Sequence, residues 1–143
     1  MKAQKVILSV SGTVQGEDDD GVRLMTTGLL SGGDPHWKLR YSETMPDGEM
    51  SHRVTVSMDD GVVTMQRDGA FATSMVFEKG RRFEGNYSTP FGNIEMGVFP
   101  VRVNYHVAGG VGEVDLKYQL DLKGQFSAMH ELSIRFAPGD TRS

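Results

Sequence analysis

The fold is decided by the stretch FEKGRRFEGNYSTPFGNIEMGV, which covers Phe77–Val98 and consists of strand-like segments folded twice. Gly80 separates two runs of alternating apolar residues, and a glycine there supplies the positive φ that a tight hairpin needs. A second turn is predicted at Thr89–Gly92, because the proline fixes its own φ and the glycine closes the turn. This stretch therefore predicts short antiparallel strands joined by glycine-bearing turns.

The rest of the chain repeats the same pattern. Apolar residues alternate with polar ones in a succession of runs, and no run has a helical period. The predicted strands cover about residues 5–15, 22–30, 37–41, 52–58, 62–67, 71–77, 81–89, 93–107, 114–122 and 126–136. Turn signals separate them at 16–21, 31–35, 45–48, 59–61, 68–69, 109–110 and 123–124.

The run at 93–107 is long for one strand and changes its apolar parity around Phe99-Pro100. A change of one residue in a period-two pattern is what a β-bulge or a corner produces, and proline is tolerated at such a place. The sequence therefore predicts a bulge near Pro100.

About ten consecutive antiparallel strands that each hide one face form either a sandwich or a closed barrel. Successive short hairpins favour an all-β, closed up-and-down barrel of about 8–10 strands, which leaves no exposed edge. The 143 residues contain no internal repeat and no linker. They predict one domain with an ordered core at about 5–136 and a polar, mobile tail at 137–143.

Composition restricts the chemistry. The chain has no cysteine, which excludes disulfides, thiolate catalysis and cysteine-bound zinc. A net charge of −4 without a basic run disfavours nucleic acid and anionic membranes as partners. The apolar run near the N-terminus is too short for a signal peptide, so a soluble cytoplasmic protein is expected. Homodimerisation stays open.

No cofactor or metal is expected. The four histidines are scattered without the spacing of metal ligands. The carboxylates of Glu17–Asp20 are consecutive, whereas a calcium loop needs alternating ligands and a distant bidentate glutamate. A solvated loop is therefore favoured there.

Six short motifs are distributed along the chain: VILSVSG at 6–12, VTMQRDG at 63–69, MVFEKGRR at 75–82, YSTPFG at 87–92, IEMG at 94–97 and LKYQL at 116–120. Together they resemble the YwiB-like bacterial family, the uncharacterised domain family numbered 1934. The resemblance covers roughly Lys5 to Phe136 and implies a small calycin-like, lipocalin-like β-barrel in a bacterial cytoplasm. It implies no activity and supplies no site residues.

Barrels of this size can hold a small ligand, so polar residues with inward parity are the candidates for a site. Arg67 and Arg81 both have the parity of neighbouring apolar residues, and an arginine fork can donate two parallel bonds to a carboxylate. A small amphipathic acid is thus the expected ligand. The candidate binding residues are Arg67, Arg81, Tyr87, Tyr118, His130, Met65 and Met75.

Structural interpretations compete with these assignments. Both arginines adjoin turns and can reach water at the rim or pair with neighbouring carboxylates such as Glu78. His130 can be a satisfied core histidine, and the methionines can be ordinary gap-fillers. The alternative function is a non-enzymatic protein-interaction scaffold with a filled core. Nothing in the sequence argues for an enzyme, and no serine or phosphate-loop motif is present.

Overall fold

The computed structural model describes residues 3–14, 22–33, 35–44, 51–69, 72–123 and 125–139. These residues form ten β-strands and contain no helix. The strands are β1 (Gln4–Val14), β2 (Val22–Gly33), β3 (His36–Thr44), β4 (Ser51–Asp59), β5 (Val62–Asp68), β6 (Ala72–Phe77), β7 (Phe83–Thr89), β8 (Gly92–Ala108), β9 (Val111–Leu122) and β10 (Gln125–Pro138).

The strands close into a barrel. Each strand pairs with the next one along the chain, and β10 pairs with β1 in an antiparallel ladder from Val6↔Pro138 to Val14↔His130. The prediction of a closed, up-and-down, all-β barrel is therefore confirmed. The barrel has two ends, which we call the terminal end, where β1 begins and β10 finishes, and the far end, where β5 finishes and β6 begins.

The core is the inside of the barrel. Alternate residues of each strand point inward, as the burial of every second residue in the first half of β9 shows. Burying a large apolar side chain contributes about 1.5–3 kcal/mol, so this interior supplies most of the stability. The largest completely buried side chains are Phe77, Leu8, Leu39, Met58, Leu116, Ile134, Val6, Val54, Val56, Val63, Val98 and Val114.

The predicted turn and bulge positions are largely confirmed. Asp60 and Gly61 both have positive φ, 52° and 91°, as a two-residue hairpin turn requires. Gly80 has a φ of 77°. The register of β8 against β9 shifts between Pro100 and Arg102, which is the predicted bulge. The turns predicted at 16–21 and 45–48 lie outside the described residues.

Several predicted boundaries are wrong. β2 extends through Gly33 into the turn predicted at 31–35, and β9 begins at Val111 instead of residue 114. β7 begins at Phe83 instead of residue 81, because residues 78–81 form a turn in which the Arg81 N–H donates to the Glu78 carbonyl at 3.0 Å. At the other end of the chain, β10 extends through Pro138, which lies opposite Val6. The predicted tail therefore begins too early, and its residues 140–143 lie outside the described part.

Candidate functional site

A row of polar side chains crosses the inner wall at the far end. Arg67 on β5 lies opposite Thr73 on β6, and Thr73 lies opposite Tyr87 on β7. Thr73 is buried, whereas Arg67 and Tyr87 are half-buried. One row deeper, Met65 and Met75 face each other and are both buried. The inward parity predicted for Arg67, Tyr87, Met65 and Met75 agrees with these positions.

The second part of the site lies on β9 and β10. Tyr118 and His130 are direct cross-strand neighbours, and their rings stack with centroids 5.4 Å apart and planes 8° apart. The Tyr118 ring also meets that of Phe77 on β6, at 4.9 Å and 59°. Because β6 and β9 are not adjacent in the wall, this contact crosses the interior. It brings Tyr118 toward the strands that carry Arg67 and Thr73.

The charge of Arg67, in the first part of the site, acts on the Tyr118 hydroxyl in the second part. Burial raises the pKa of the Tyr118 hydroxyl, and the positive charge of Arg67 opposes that rise in part. The hydroxyl is therefore protonated at neutral pH and can donate a hydrogen bond. The interior at this end thus combines a cation, a neutral phenol and an imidazole ring.

Thr73 is a member of this cluster that the sequence did not single out. Thr73 has the same parity as Met75 and Phe77, so the sequence places it on the inner face of the strand. A threonine in a strand nevertheless carries no functional signal by itself. In the structure its Oγ1 lies 3.8 Å from the sulfur of Met96, within reach of a weak hydrogen bond. Thr73 therefore links the polar row to the methionines.

Arg81 does not join the cluster, and its predicted inward position is wrong. It lies in the turn after β6, at the terminal end of the barrel, whereas Arg67 lies at the far end. Its side chain is 76% exposed and sits 3.6 Å from a carboxylate oxygen of Glu78. The inward parity failed because the strand period does not continue into the turn. The rim and ion-pair interpretation is the one observed.

A separate ion-pair cluster braces the outer wall. The Arg82 guanidinium bonds Glu84 at 3.0 Å and Asp121 at 2.8 Å. Gly97 lies between these two acids in the register, and a side chain there would collide with the guanidinium. The Arg82 side chain therefore crosses the outer face of β8 and connects Glu84 on β7 to Asp121 on β9. Because Arg82 directly precedes Phe83, the period of two places the Arg82 side chain on the outer face. Which carboxylates it meets there depends on the register of the strands.

This brace leads to a prediction about acid stability. Hydrogen bonds from Gln119, at 3.1 Å, and from Arg82 hold the pKa of Asp121 below its usual value. A lowered folded-state pKa contributes stability that is present above the unfolded pKa, about 3.9, and is lost as the pH falls through the folded one. In an NMR titration we expect the pKa of the Asp121 carboxyl to lie below the usual value for an aspartate, and to move upward in Gln119→Ala. Titration at or above the usual value would contradict the assignment.

The described residues contain no group of three or more histidine, aspartate or glutamate side chains arranged to hold a metal ion. Within the same residues, no helix is long and apolar enough to cross a membrane.

The fold and this polar row define the class: a closed, ten-stranded antiparallel barrel with a cationic and aromatic cluster inside one end. The family model described as Domain of unknown function (DUF1934) matches residues 8–134, so the chain belongs to that family. The fold is similar to that in the crystal structure of the ywiB protein from Bacillus subtilis, with a TM-score of 0.81 and 21% identity. That match covers 96% of this chain and 94% of the other.

At this identity the similarity shows the fold alone. A search of curated proteins finds no match. The calycin-like, lipocalin-like assignment of the barrel, the binding of a small molecule and the cytoplasmic location stay predictions.

Proposed function

We propose that the far end of the barrel binds a small amphipathic acid. The observation that supports this most is the inward position of Arg67, which acts electrostatically on the buried hydroxyl of Tyr118. A cation on the inner face of a barrel whose buried core is mostly apolar suits the recognition of a carboxylate. Such charge-assisted hydrogen bonds are short and about twice as strong as neutral ones.

Each neighbouring group has a role in this proposal. Arg67 pairs with the carboxylate, and the neutral Tyr118 hydroxyl donates a further hydrogen bond to it. The stacked ring of His130 forms one wall for the apolar part of the ligand. The methionines Met65 and Met75 form an adaptable floor, because the thioether side chain is flexible and polarizable.

The size of the ligand is limited by the core below the site. Val56 lies opposite Met65, and Phe77 reaches Tyr118, and both Val56 and Phe77 are completely buried. A ligand that enters at the far end therefore inserts only partway. A short acyl chain or a single aromatic ring with one acid group is the matching chemistry.

Binding of octanoate to the purified protein tests the proposal. We expect measurable binding by titration calorimetry, and a loss of about tenfold or more in Arg67→Gln, since a hydrogen bond to a charged group contributes about 1.5–3 kcal/mol. The matched control is Arg81→Gln, which removes an exposed arginine paired with Glu78 and is expected to leave binding unchanged. 1-Octanol, which lacks the charge, should bind weakly to all three proteins.

Two results would contradict the proposal. One is equal affinity of the wild type and Arg67→Gln for octanoate. The other is a parallel loss in Arg81→Gln, which would mean that only the overall charge of the surface matters.

A further inference from the structure

The barrel wall contains a break between β2 and β3. The ladder of these strands runs from Gly33↔His36 only as far as Gly28↔Tyr41. Beyond that pair, residues 22–27 of β2 bond to β1, and residues 42–44 of β3 bond to β4. Within the described residues, no strand pairs with the other side of either segment. Two strand edges that have no ladder partner among the described residues therefore face each other at this place, and such edges are templates for pairing with another chain.

A cleft of about 530 Å³ lies at the break. Its lining includes Thr27 and Leu29 from β2, Arg40 and Ser42 from β3, and the neighbouring side chains of Lys5 and Arg53. Lys5 lies opposite Leu29, which lies opposite Arg40, so these side chains form a continuous row on the outer face. Arg53 lies opposite Ser42, one strand further on.

The charge of this cleft differs from that of the whole chain, which is −4. Among the described residues, the side chains of Lys5, Arg40 and Arg53 form no ion pair with a carboxylate. The outer face of β2 also carries exposed apolar side chains: Leu29, which lines the cleft, is 46% exposed, and Met25, four residues earlier on the same strand, is 69% exposed. The cleft therefore offers positive charge, apolar surface and backbone hydrogen-bonding groups together.

We infer that this cleft binds an extended acidic peptide segment of a partner protein by strand addition. In this mode, main-chain hydrogen bonds supply affinity and alternate side chains supply specificity. Residues 22–27 of β2 have no ladder partner on this side within the described part of the chain, and this edge matches a segment of six residues, or about 20 Å of strand. Carboxylates on that segment would meet Lys5, Arg40 and Arg53, and its apolar side chains would lie on Leu29 and Met25.

The test uses a fluorescein-labelled peptide, acetyl-Val-Glu-Val-Glu-Val-Glu-amide, and fluorescence anisotropy. The matched peptides carry lysine in place of glutamate, or N-methyl groups on alternate backbone nitrogens. We expect saturable binding of the acidic peptide with a Kd below about 1 mM, and at least tenfold weaker binding of both matched peptides. Amide NMR shifts caused by the peptide should concentrate at 22–27 and 42–44.

Protein variants separate the site from general charge effects. Arg40→Glu/Arg53→Glu should weaken binding at least tenfold, whereas Arg81→Glu/Arg102→Glu, with the same change of charge in the turn after β6 and on β8, should not. Replacing Asp18, Asp19 and Asp20 with asparagine should leave the affinity unchanged. Arg67→Gln should bind the peptide like the wild type, which keeps this test independent of octanoate binding.

The inference is overturned if the peptide does not bind, if the N-methylated peptide binds equally well, or if both charge-reversal variants lose binding alike. Tighter binding by the asparagine variant would assign the cleft to the chain's own acidic segment and would also overturn it. A single-stranded oligonucleotide that binds more tightly than the peptide would do the same.

Discussion

Phe77→Ala is expected to lower the free energy of unfolding by about 3–5 kcal/mol, the usual cost of removing a buried phenylalanine. Phe77 is completely buried, and its ring contacts that of Tyr118 across the interior. The closed wall around it limits how far the neighbours can move into the space. Since domains are stable by only about 5–15 kcal/mol, this change removes a large part of the total.

The measurement is urea unfolding followed by circular dichroism, with Phe91→Ala as the control. Phe91 is 94% exposed in the turn between β7 and β8, so the same chemical change there is expected to cost less than about 0.5 kcal/mol. Equal destabilisation by the two variants would contradict the complete burial of Phe77.

Gly28→Ala is expected to destabilise the protein by about 2–3 kcal/mol, in the upper part of the range for overpacking. A Cβ at Gly28 would collide with the carbonyl oxygen of Arg40 and would lie 2.9 Å from a methyl carbon of Leu8. The first of these is backbone in the adjacent strand and cannot rotate away. Because Gly28 forms the last pair of the β2/β3 ladder, the strain should widen the break in the wall.

Gly12→Ala is the matched control for this change. A Cβ at Gly12 would meet its nearest atoms at 3.8 and 3.9 Å, which is ordinary van der Waals contact. Alanine costs less chain entropy than glycine, so a neutral or slightly stabilising effect of up to about 1 kcal/mol is expected. A Gly28→Ala protein as stable as Gly12→Ala would contradict the close approach of β2 and β3.

Much of the barrel follows from the period-two pattern, because alternation fixes which side chains must be hidden. At the candidate site, the inward parity of Arg67 agrees with the structure, since the strand period continues through it. The inward position predicted for Arg81 is wrong, because its neighbours form a turn in which alternation no longer assigns a face. For Arg67 the sequence left a rim position open, and only the assembled barrel relates Arg67 to Tyr118.

Which residues become cross-strand neighbours depends on register. Alternation alone does not determine the register, because a shift of two residues keeps every side chain on the same face. Tyr118 lies opposite His130 because the register of β9 and β10 shifts between Phe126 and Ala128. No residue type in the sequence indicates this irregularity. The break between β2 and β3 is equally invisible, because alternation gives the face of a residue and not its partner. The cationic row along the cleft consequently appears only when the strands are placed side by side.

A crystal structure of the protein grown with octanoate tests most directly whether the far end of the barrel binds a carboxylate. We expect density for the carboxylate within hydrogen-bonding distance of the Arg67 guanidinium, and for the acyl chain against Met65, Met75 and the His130 ring. Octanoate bound only on the outer wall, or an Arg67 side chain that points away from Tyr118 into solvent, would contradict it.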